Sequence, residues 1–188
     1  MITETIISIF LGVGLAASVG FRVFVPLFTL SLAGYYHIIP LNESWLWIAS
    51  TPAIITLGIA TVVEVFAYYI PWIDNLLDSL AIPLAAIAGT AVMVSTSMNL
   101  DPIITWSLAI IAGGGTATAI KTSSATTRLT STVTTGGLAN PLVSTIETGT
   151  SVTMSLLSVF IPIIAIVFVL TVLLFLRKIY RKLKKVTK

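Results

Sequence analysis

The stretch KTSSATTRLTSTVTTGGLANP, residues 121–141, is a polar interruption in a strongly apolar chain. It is rich in threonine and serine, carries Lys121 and Arg128, and contains no Asp or Glu. Gly136 and Gly137 permit backbone angles that other residues avoid, so the sequence predicts a turn at this point. The residues after the turn predict the start of a new helix.

The predicted helix has Asn140 as its N-cap and Pro141 as its first residue. Its free N–H groups and the positive end of its dipole then lie close in sequence to Lys121 and Arg128, which makes the region a candidate anion site. The alternative is a wet cytoplasmic loop, polar because loops are polar. The absence of acidic residues favours the site, and so do the threonines, whose β-branched side chains could line a helix interface.

Composition places the chain among integral membrane proteins. Of its 188 residues, 56% are hydrophobic and 9% are charged, against about 25% charged residues in soluble domains. The mean hydropathy is +1.06, and several nearly uncharged runs are long enough to cross a bilayer core of about 30 Å. The sequence predicts one all-α membrane domain over residues 1–188. Its first apolar run lacks the basic n-region of a cleaved signal peptide, so we expect it to be a helix of the protein.

The predicted architecture has about six transmembrane or re-entrant helices, with a short amphipathic piece at residues 71–80. The six apolar segments cover residues 5–34, 45–70, 81–98, 103–120, 141–160 and 162–176. Seven of the ten cations lie in the tail, residues 177–188, which we expect in the cytoplasm because cytoplasmic segments are enriched in Lys and Arg. Six crossings would place the N-terminus there too, and one re-entrant segment would reverse everything upstream. We expect a multi-pass protein of the cell membrane, specifically a bacterial inner membrane.

A faint internal repeat divides the chain into halves at residues 1–98 and 99–176. Residues 14–22 match residues 113–121, each a span from glycine to a cation, and Pro52 matches Pro141. Three segments per half would make the second half inverted relative to the first, as in many secondary transporters. The stretch FRVFVP predicts a helix break near Arg22, matching the break before Asn140 in the other half. The alternative is chance recurrence of glycine and proline.

Five charges lie within or beside the apolar segments. A cation at the centre of a membrane helix costs about 2.5–3.5 kcal/mol on insertion scales, so such groups usually face a partner or a cavity. The predicted pairs are Arg22 with Glu64, and Glu147 with Lys121 or Arg128. They indicate either a shared polar cavity or buried ion pairs that only fix helix packing.

Asp74 and Asp78 are four residues apart, so on a helix they share one face and could bind a proton or a cation. The alternative is the solvated face of an interfacial helix. His37, the only histidine, lies beside interfacial tyrosines. The chain has no cysteine, no metal-ligand spacing and no legible nucleophile–base set. We therefore expect no metal, no cofactor and no enzymatic activity.

Three stretches resemble an uncharacterised bacterial multi-pass membrane family, domain of unknown function 4126: GFRVFVPL, EVFAYYIPWIDNLLDSLAIPLAAIAGT and TTGGLANPLVSTIETG. The resemblance covers the chain from about Gly14 to the end of the fifth segment and implies a membrane fold without naming an activity. It implies these pattern positions: Glu64, Pro71, Asp74, Asp78, Lys121, Gly136, Gly137, Asn140, Pro141, Ser144 and Glu147. Arg22 in place of a smaller polar residue, Tyr68–Tyr69 in place of an acidic–basic pair and Thr148 in place of a second acid depart from the family. These departures weaken the case for a cation held between paired acids.

The predicted function is a small secondary transporter or channel-like permease for an anionic solute or lipid head group, possibly coupled to protons or sodium. The predicted substrate-binding residues are Arg22, Lys121, Arg128, Gly136, Gly137, Asn140 and Ser144. The predicted coupling residues are Glu64, Asp74, Asp78 and Glu147, since carboxylates in a low-dielectric site can exchange protons near neutral pH. The alternative is a scaffold or accessory subunit without transport.

The expected partners are membrane lipids, with the basic tail on anionic lipid, and a small solute or ion. We expect no nucleic acid, and a homo-oligomer is a possible state of assembly.

Overall fold

The structure is a computed structural model that describes residues 2–186, without the side chains of residues 71, 72, 74, 75, 176 and 179–186. The regular secondary structure of this part of the chain consists of helices. The helices are α1 (Ile2–Phe21), α2 (Phe24–Tyr35), α3 (Thr51–Ala67), α4 (Pro71–Thr96), α5 (Pro102–Leu108), α6 (Gly115–Thr135), α7 (Asn140–Phe160) and α8 (Pro162–Val186). A 3₁₀ turn, Glu43–Ala49, precedes α3, and a π-helical segment, Ala109–Gly114, joins α5 to α6.

The predicted break near Arg22 is confirmed: α1 ends at Phe21 and α2 begins at Phe24. Pro26 has no N–H, so it cannot continue the helix by donating to the carbonyl four residues earlier. The N–H groups of Val23 and Phe24 donate instead to the carboxylate of Glu64, at 2.8 and 2.9 Å. The break therefore has a local cause, the proline, and a distant one, the carboxylate.

Residues 121–135 of the polar stretch are helix, so the loop alternative is wrong for them. We predicted that the fourth segment ends near Ile120, but α6 continues to Thr135. Its threonine hydroxyls donate to carbonyls one turn earlier, as Thr126 does to Thr122 at 2.8 Å and Thr130 to Thr126 at 2.9 Å. Such hydroxyls are satisfied by the helix itself, so polarity here does not require contact with water.

The predicted turn is confirmed, but the predicted N-cap is wrong. Gly136 and Gly137 have φ angles of 64° and 87°, a region that glycine adopts readily. The helix α7 is capped by Ala139, without a side-chain bond, and Asn140 is its first residue. The Asn140 amide donates to Thr132 Oγ1 instead, at 3.1 Å. It fastens α7 to α6 across the turn.

The amphipathic piece at residues 71–80 and the third apolar segment form one helix, α4. It begins at Pro71 and continues through Pro83. Proline suits the first turn of a helix, where its missing N–H costs nothing. Asp78 therefore sits on the same rigid element as the apolar residues that follow it.

Contacts at one end of the bundle show that α2 folds back along α1. The N–H of Met98 donates to Ser8 Oγ at 3.4 Å, and the N–H of Asn42 donates to the Ser95 carbonyl at 2.8 Å. The start of α1, the link after α2 and the end of α4 thus meet at what we call the Asn42 end. Residues 36–42 are too few to reach this end unless α2 runs antiparallel to α1. We call the opposite end, which holds the α6–α7 turn, the Gly136 end.

The other helices run between these two ends. The helix α1 lies at the centre and packs against α4, α6, α7 and α8. Gly12 of α1 faces Met93 and Thr96, while Gly113 faces Gly89, so α1 and α6 both run antiparallel to α4. The helix α7 runs towards the Asn42 end and α8 returns alongside it. Residues 2 and 186 therefore lie towards opposite ends, which does not fit the predicted placement of both termini on one side.

Three helical stretches are long and apolar enough to cross a membrane by length and composition: Ile2–Phe21, Leu76–Thr96 and Pro102–Thr135. A fourth is obtained if the bent pair Glu43–Ala49 and Thr51–Ala67, with 63° between them, is taken as one span. In the described residues α2 has 12 residues and the apolar part of α8 is Pro162–Phe175. Large apolar side chains are exposed along α3, including Ile55, Ile59 and Phe66. These features indicate an all-helical membrane protein.

Candidate functional site

Three cations surround the ring of Tyr68, just after the end of α3: one from the link between α1 and α2, and two from α6. The Arg22 guanidinium carbon lies 3.9 Å from the ring centroid, the Arg128 guanidinium carbon 4.4 Å, and Lys121 Nζ 5.1 Å. We call these three residues the cation cluster. Their exposed fractions are 0% for Arg22 and Lys121 and 2% for Arg128, so their attraction to the ring is weakly screened by solvent.

Helix periodicity explains why α6 supplies two members of the cation cluster. Lys121, Ser124 and Arg128 follow each other at spacings of three and four residues, which puts them on one face of the helix. All three are buried. The threonines between them lie on the exposed face, so α6 has a buried charged face and an exposed threonine face.

Glu147 of α7 is the principal acceptor for the cation cluster. Arg128 Nε donates to both of its oxygens at 3.2 Å, and Arg128 Nη2 and Ser124 Oγ make further close hydrogen bonds to it. Arg22 Nη2 lies 3.7 Å from Glu147 Oε2. The predicted pair of Arg128 with Glu147 is confirmed. It is a buried pair, so removal of either partner would leave an uncompensated charge.

Asp78 of α4 is the second carboxylate at the cation cluster. Its oxygens lie 3.7 Å from Lys121 Nζ and 3.9 Å from Arg128 Nε. Lys121 also donates to the Tyr68 hydroxyl at 3.1 Å. The side chain of Asp74, predicted to share a face with Asp78, lies outside the described residues. Asp78 thus joins α4 to a site otherwise built from the α1–α2 link, the residue after α3, and helices α6 and α7.

Glu64 does not pair with Arg22 as predicted. Its two oxygens accept the N–H groups of Val23 and Phe24, so the carboxylate caps the first turn of α2. Two charge-assisted bonds to otherwise orphaned backbone donors are a strong arrangement for a buried carboxylate. Glu64 thereby stabilises the α1–α2 hairpin that contains Arg22. The guanidinium of Arg22 makes its hydrogen bonds to α7 instead.

Arg22 makes three hydrogen bonds to α7, but one nitrogen of its guanidinium, Nη1, takes part in none of them. Nε donates to Thr148 Oγ1 at 3.0 Å, and Nη2 donates to the carbonyl and hydroxyl of Ser144 at 3.0 and 3.2 Å. Nη1 is buried and has no hydrogen-bond partner among the described residues. Most buried polar groups are hydrogen-bonded, so an exception calls for an explanation. A bound anionic group would supply the missing acceptor.

Ser144 lies within the site, as predicted, whereas three other predicted residues lie outside it. Gly136 and Gly137 form the turn at the bundle end, and Asn140 bonds to Thr132. The N–H of Asn140 donates to Gly137, and those of Leu142 and Val143 both donate to Ala139. The start of α7 therefore has its backbone donors engaged within the protein, so these N–H groups are not available to an anion in this conformation.

Tyr68 is a site residue that the sequence predictions do not include, because there it is only a departure from a family pattern. Its spacing from Glu64 held a signal, since residues four apart share a helix face. Also missed was a hydroxyl contact next to the cation cluster: Ser18 of α1 bonds to Ser151 Oγ at 2.9 Å and to Ser155 Oγ at 2.6 Å. Ser144, Thr148, Ser151 and Ser155 recur at helical spacing on α7, and that periodicity was available in the sequence.

The arrangement suits recognition of an anionic group. Guanidinium groups bind carboxylate and phosphate through paired N–H donors, and their positive charge does not depend on pH in the physiological range. The described residues contain no group of three or more His, Cys, Asp or Glu that could hold a metal ion. No curated protein and no solved structure matches the chain. The family model described as "Domain of unknown function (DUF4126)" matches residues 9–182, nearly the whole chain. The chain therefore belongs to this family of unknown function.

Proposed function

We propose that the protein is a small membrane transporter or permease that binds an anionic group at the cation cluster and passes it across the bilayer. The observation that carries the proposal is the buried Nη1 of Arg22, which lacks a hydrogen-bond partner among the described residues. Arg128 and Lys121 lie against the same tyrosine ring and would add charge to the same ligand. An intramembrane charged group is by default a candidate for a transport pathway.

Glu147 offers a route to proton coupling. Its oxygens occupy donors of Arg128 and lie close to Arg22, so an incoming anion competes with it for the same cations. A proton on Glu147 would remove that competition and free the donors for the anion. In this mechanism a proton and an anion bind together, which is a symport cycle.

An inverted repeat and six crossings remain predictions and belong to this proposal. The helices α3 and α7 run in opposite directions, as do α4 and α8, whereas α1 and α6 run in the same direction. These directions fit an inverted repeat in which α2–α4 correspond to α6–α8, with α1 as an additional helix. A transporter would place its site between two such halves, and the cation cluster draws on both.

Flux into liposomes tests the proposal. Purified protein is reconstituted and assayed for movement of chloride, inorganic phosphate, a dicarboxylate and fluorescent anionic lipid, with and without a proton gradient. We expect flux of at least one anion, and its loss in Arg22→Gln. The matched control is Arg177→Gln, which changes an exposed cation of α8 and should leave flux unchanged. Absence of flux for every anion and lipid in either condition would contradict the proposal.

A second candidate function is a scaffold or accessory subunit, and the closure of the cation cluster favours it. The three residues of the cation cluster are at most 2% exposed and engage in many internal bonds, as expected of pairs that fix helix packing. Glu147→Gln should lower stability under either function, because it removes one partner of a buried ion pair. The two functions differ in flux: a transporter carries anion flux that Arg22→Gln abolishes, whereas a scaffold carries none.

A further inference from the structure

We propose that the anionic ligand is a phospholipid from the leaflet at the Gly136 end, with its head group at Arg22 and an acyl chain in a groove between α2, α3 and α7. This inference rests on the proposed function, because it names the ligand class of the same site. It combines three observations: an apolar groove, its contact with Arg22, and the depth of both along α7.

The groove is an apolar cavity open to the lipid side of the bundle. It has a volume of about 440 Å³ and is lined by Phe28 and Leu32 of α2, Val65 of α3, and Val152 and Leu156 of α7, among others. Ligand pockets usually measure about 300–1,000 Å³. Thr29 and Thr61 also line it, but their hydroxyls donate to carbonyls of their own helices. An alkyl chain therefore meets no unsatisfied threonine hydroxyl along the wall.

One end of the groove touches the cation cluster. Thr148 lines the groove, and its hydroxyl accepts the hydrogen bond from Arg22 Nε at 3.0 Å. Arg22 thus lies one side chain behind the apolar wall, with its Nη1 lacking a hydrogen-bond partner among the described residues. An apolar groove that ends at a buried guanidinium complements a molecule with an alkyl chain and an anionic head.

Depth along α7 fits a lipid of the leaflet at the Gly136 end. Ser144 and Thr148 follow the start of α7 at Asn140 by about 6 and 12 Å at 1.5 Å per residue. From Thr148 the groove extends to Phe160, a further distance of about 18 Å. One leaflet is about 15 Å of hydrocarbon, half of a 30 Å core. The apolar span of α4 begins at Leu76, and Asp78, two residues later, lies 3.7 Å from Lys121 Nζ. The cation cluster is therefore level with the start of this apolar span, where lipid head groups lie, and the groove runs from there along the hydrocarbon.

An exposed hydrogen bond closes the α3–α7 boundary beside Arg22. Tyr69 OH and Thr145 Oγ1 are 2.9 Å apart, and each residue directly follows a contact residue of Arg22, Tyr68 and Ser144. The two helices are also joined behind it, where Ser144 Oγ donates to the Tyr68 carbonyl at 3.2 Å. A head group arriving from the lipid can reach Arg22 once the exposed Tyr69–Thr145 bond and the Ser144–Tyr68 bond behind it both open.

Lipid binding by native mass spectrometry tests the inference. Purified full-length protein in detergent is titrated with phosphatidylglycerol and with phosphatidylcholine of identical chains. We expect tighter binding of phosphatidylglycerol, and loss of that preference in Arg22→Gln. Val152→Trp, which fills the groove, should weaken phosphatidylglycerol binding by roughly tenfold, since the loss of about two buried methylene groups is enough for that change.

The matched control is Leu142→Trp, an exposed position on the same helix outside the groove, and it should leave binding unchanged. Leu156→Trp serves as a second groove variant if Val152→Trp does not fold. Equal binding of the two lipids, or equal effects of the groove and control variants, would overturn the inference. So would a groove variant that alters the oligomeric state and leaves lipid binding intact, because the groove would then be an interface between copies.

Inorganic phosphate separates this inference from the proposed function. If phosphate flux depends on Arg22 while phosphatidylglycerol shows no preference, the ligand is a soluble anion and only the lipid assignment fails. If no anion or lipid is bound or moved, both fail. Flux of fluorescent phosphatidylglycerol that is reduced in Val152→Trp and unchanged in Leu142→Trp would support both.

Discussion

Glu147 connects three other side chains. It accepts hydrogen bonds from Ser124 and Arg128 of α6 and lies close to Arg22, which directly follows α1. The charge of Arg128 was visible in the sequence, and its pairing with Glu147 could be predicted because only a few charges interrupt the apolar segments. The pairing of Glu64 could not be predicted, because its partners are backbone N–H groups that become available only where α1 breaks.

Glu147→Gln should lower the free energy of unfolding by about 3–5 kcal/mol, the usual cost of removing one partner from a buried ion pair. The double variant Arg128→Met/Glu147→Met should recover part of this loss, because it removes both charges. Both are measured by unfolding in mixed detergent micelles. Glu43→Gln, an exposed carboxylate at the Asn42 end, is the control. Wild-type stability of Glu147→Gln would mean that Glu147 does not compensate the buried cations.

At the level of elements, α6 shows why polarity alone does not distinguish a loop from a helix. The same threonines that suggested a wet loop satisfy their hydroxyls within the helix. Its buried face was predictable from the spacing of Lys121 and Arg128 once a helix was assumed. The threonine face is exposed, but its hydroxyls are already hydrogen-bonded within the helix and do not require water.

Glycine contacts between α4 and the start of α6 set the distance between those helices. A Cβ added at Gly113 would lie 2.5 Å from the Gly89 carbonyl oxygen, whereas one added at Gly115 would meet nothing within 4 Å. Close approach through small residues is typical of membrane helices. The π-helical segment Ala109–Gly114 brings Gly113 to this contact.

Gly113→Ala should therefore destabilise the protein by about 1–3 kcal/mol, the usual cost of overpacking. Gly115→Ala is the matched control and should be neutral or stabilising by up to about 1 kcal/mol, because alanine favours helix over glycine. Thermal unfolding in detergent measures both. Equal effects of the two substitutions would show that α4 and α6 are not in contact at Gly89.

At the scale of the whole molecule, the direction of α2 decides which residues share a membrane side. The sequence places a break near Arg22 but does not say whether the chain continues or turns back. Contacts of Asn42 and Ser8 with the end of α4 show that it turns back. The N-terminal region is then at the Asn42 end, opposite the α6–α7 turn.

Single-cysteine labelling measures this arrangement, since the natural chain has no cysteine. With a membrane-impermeant maleimide, Thr3→Cys and Glu43→Cys should label from one side and Leu138→Cys from the other, which we expect to be the cytoplasm. Val92→Cys, a buried position, should label from neither side. Labelling of Thr3→Cys and Leu138→Cys from the same side would contradict the α1–α2 hairpin.

The amino-acid sequence by itself determined the membrane class, the helix break before Pro26, the glycine turn at residues 136–137 and which charges would be buried. These follow from composition and from local backbone chemistry, which act within a few residues. Only the tertiary structure decided that Glu64 caps α2, that Tyr68 gathers three cations, and that Arg22 lies behind an apolar groove. Each of these depends on contacts between helices that are 40 or more residues apart in the chain. The helical periodicity of a sequence shows which face of a helix is buried, but it does not show which other helix packs against that face.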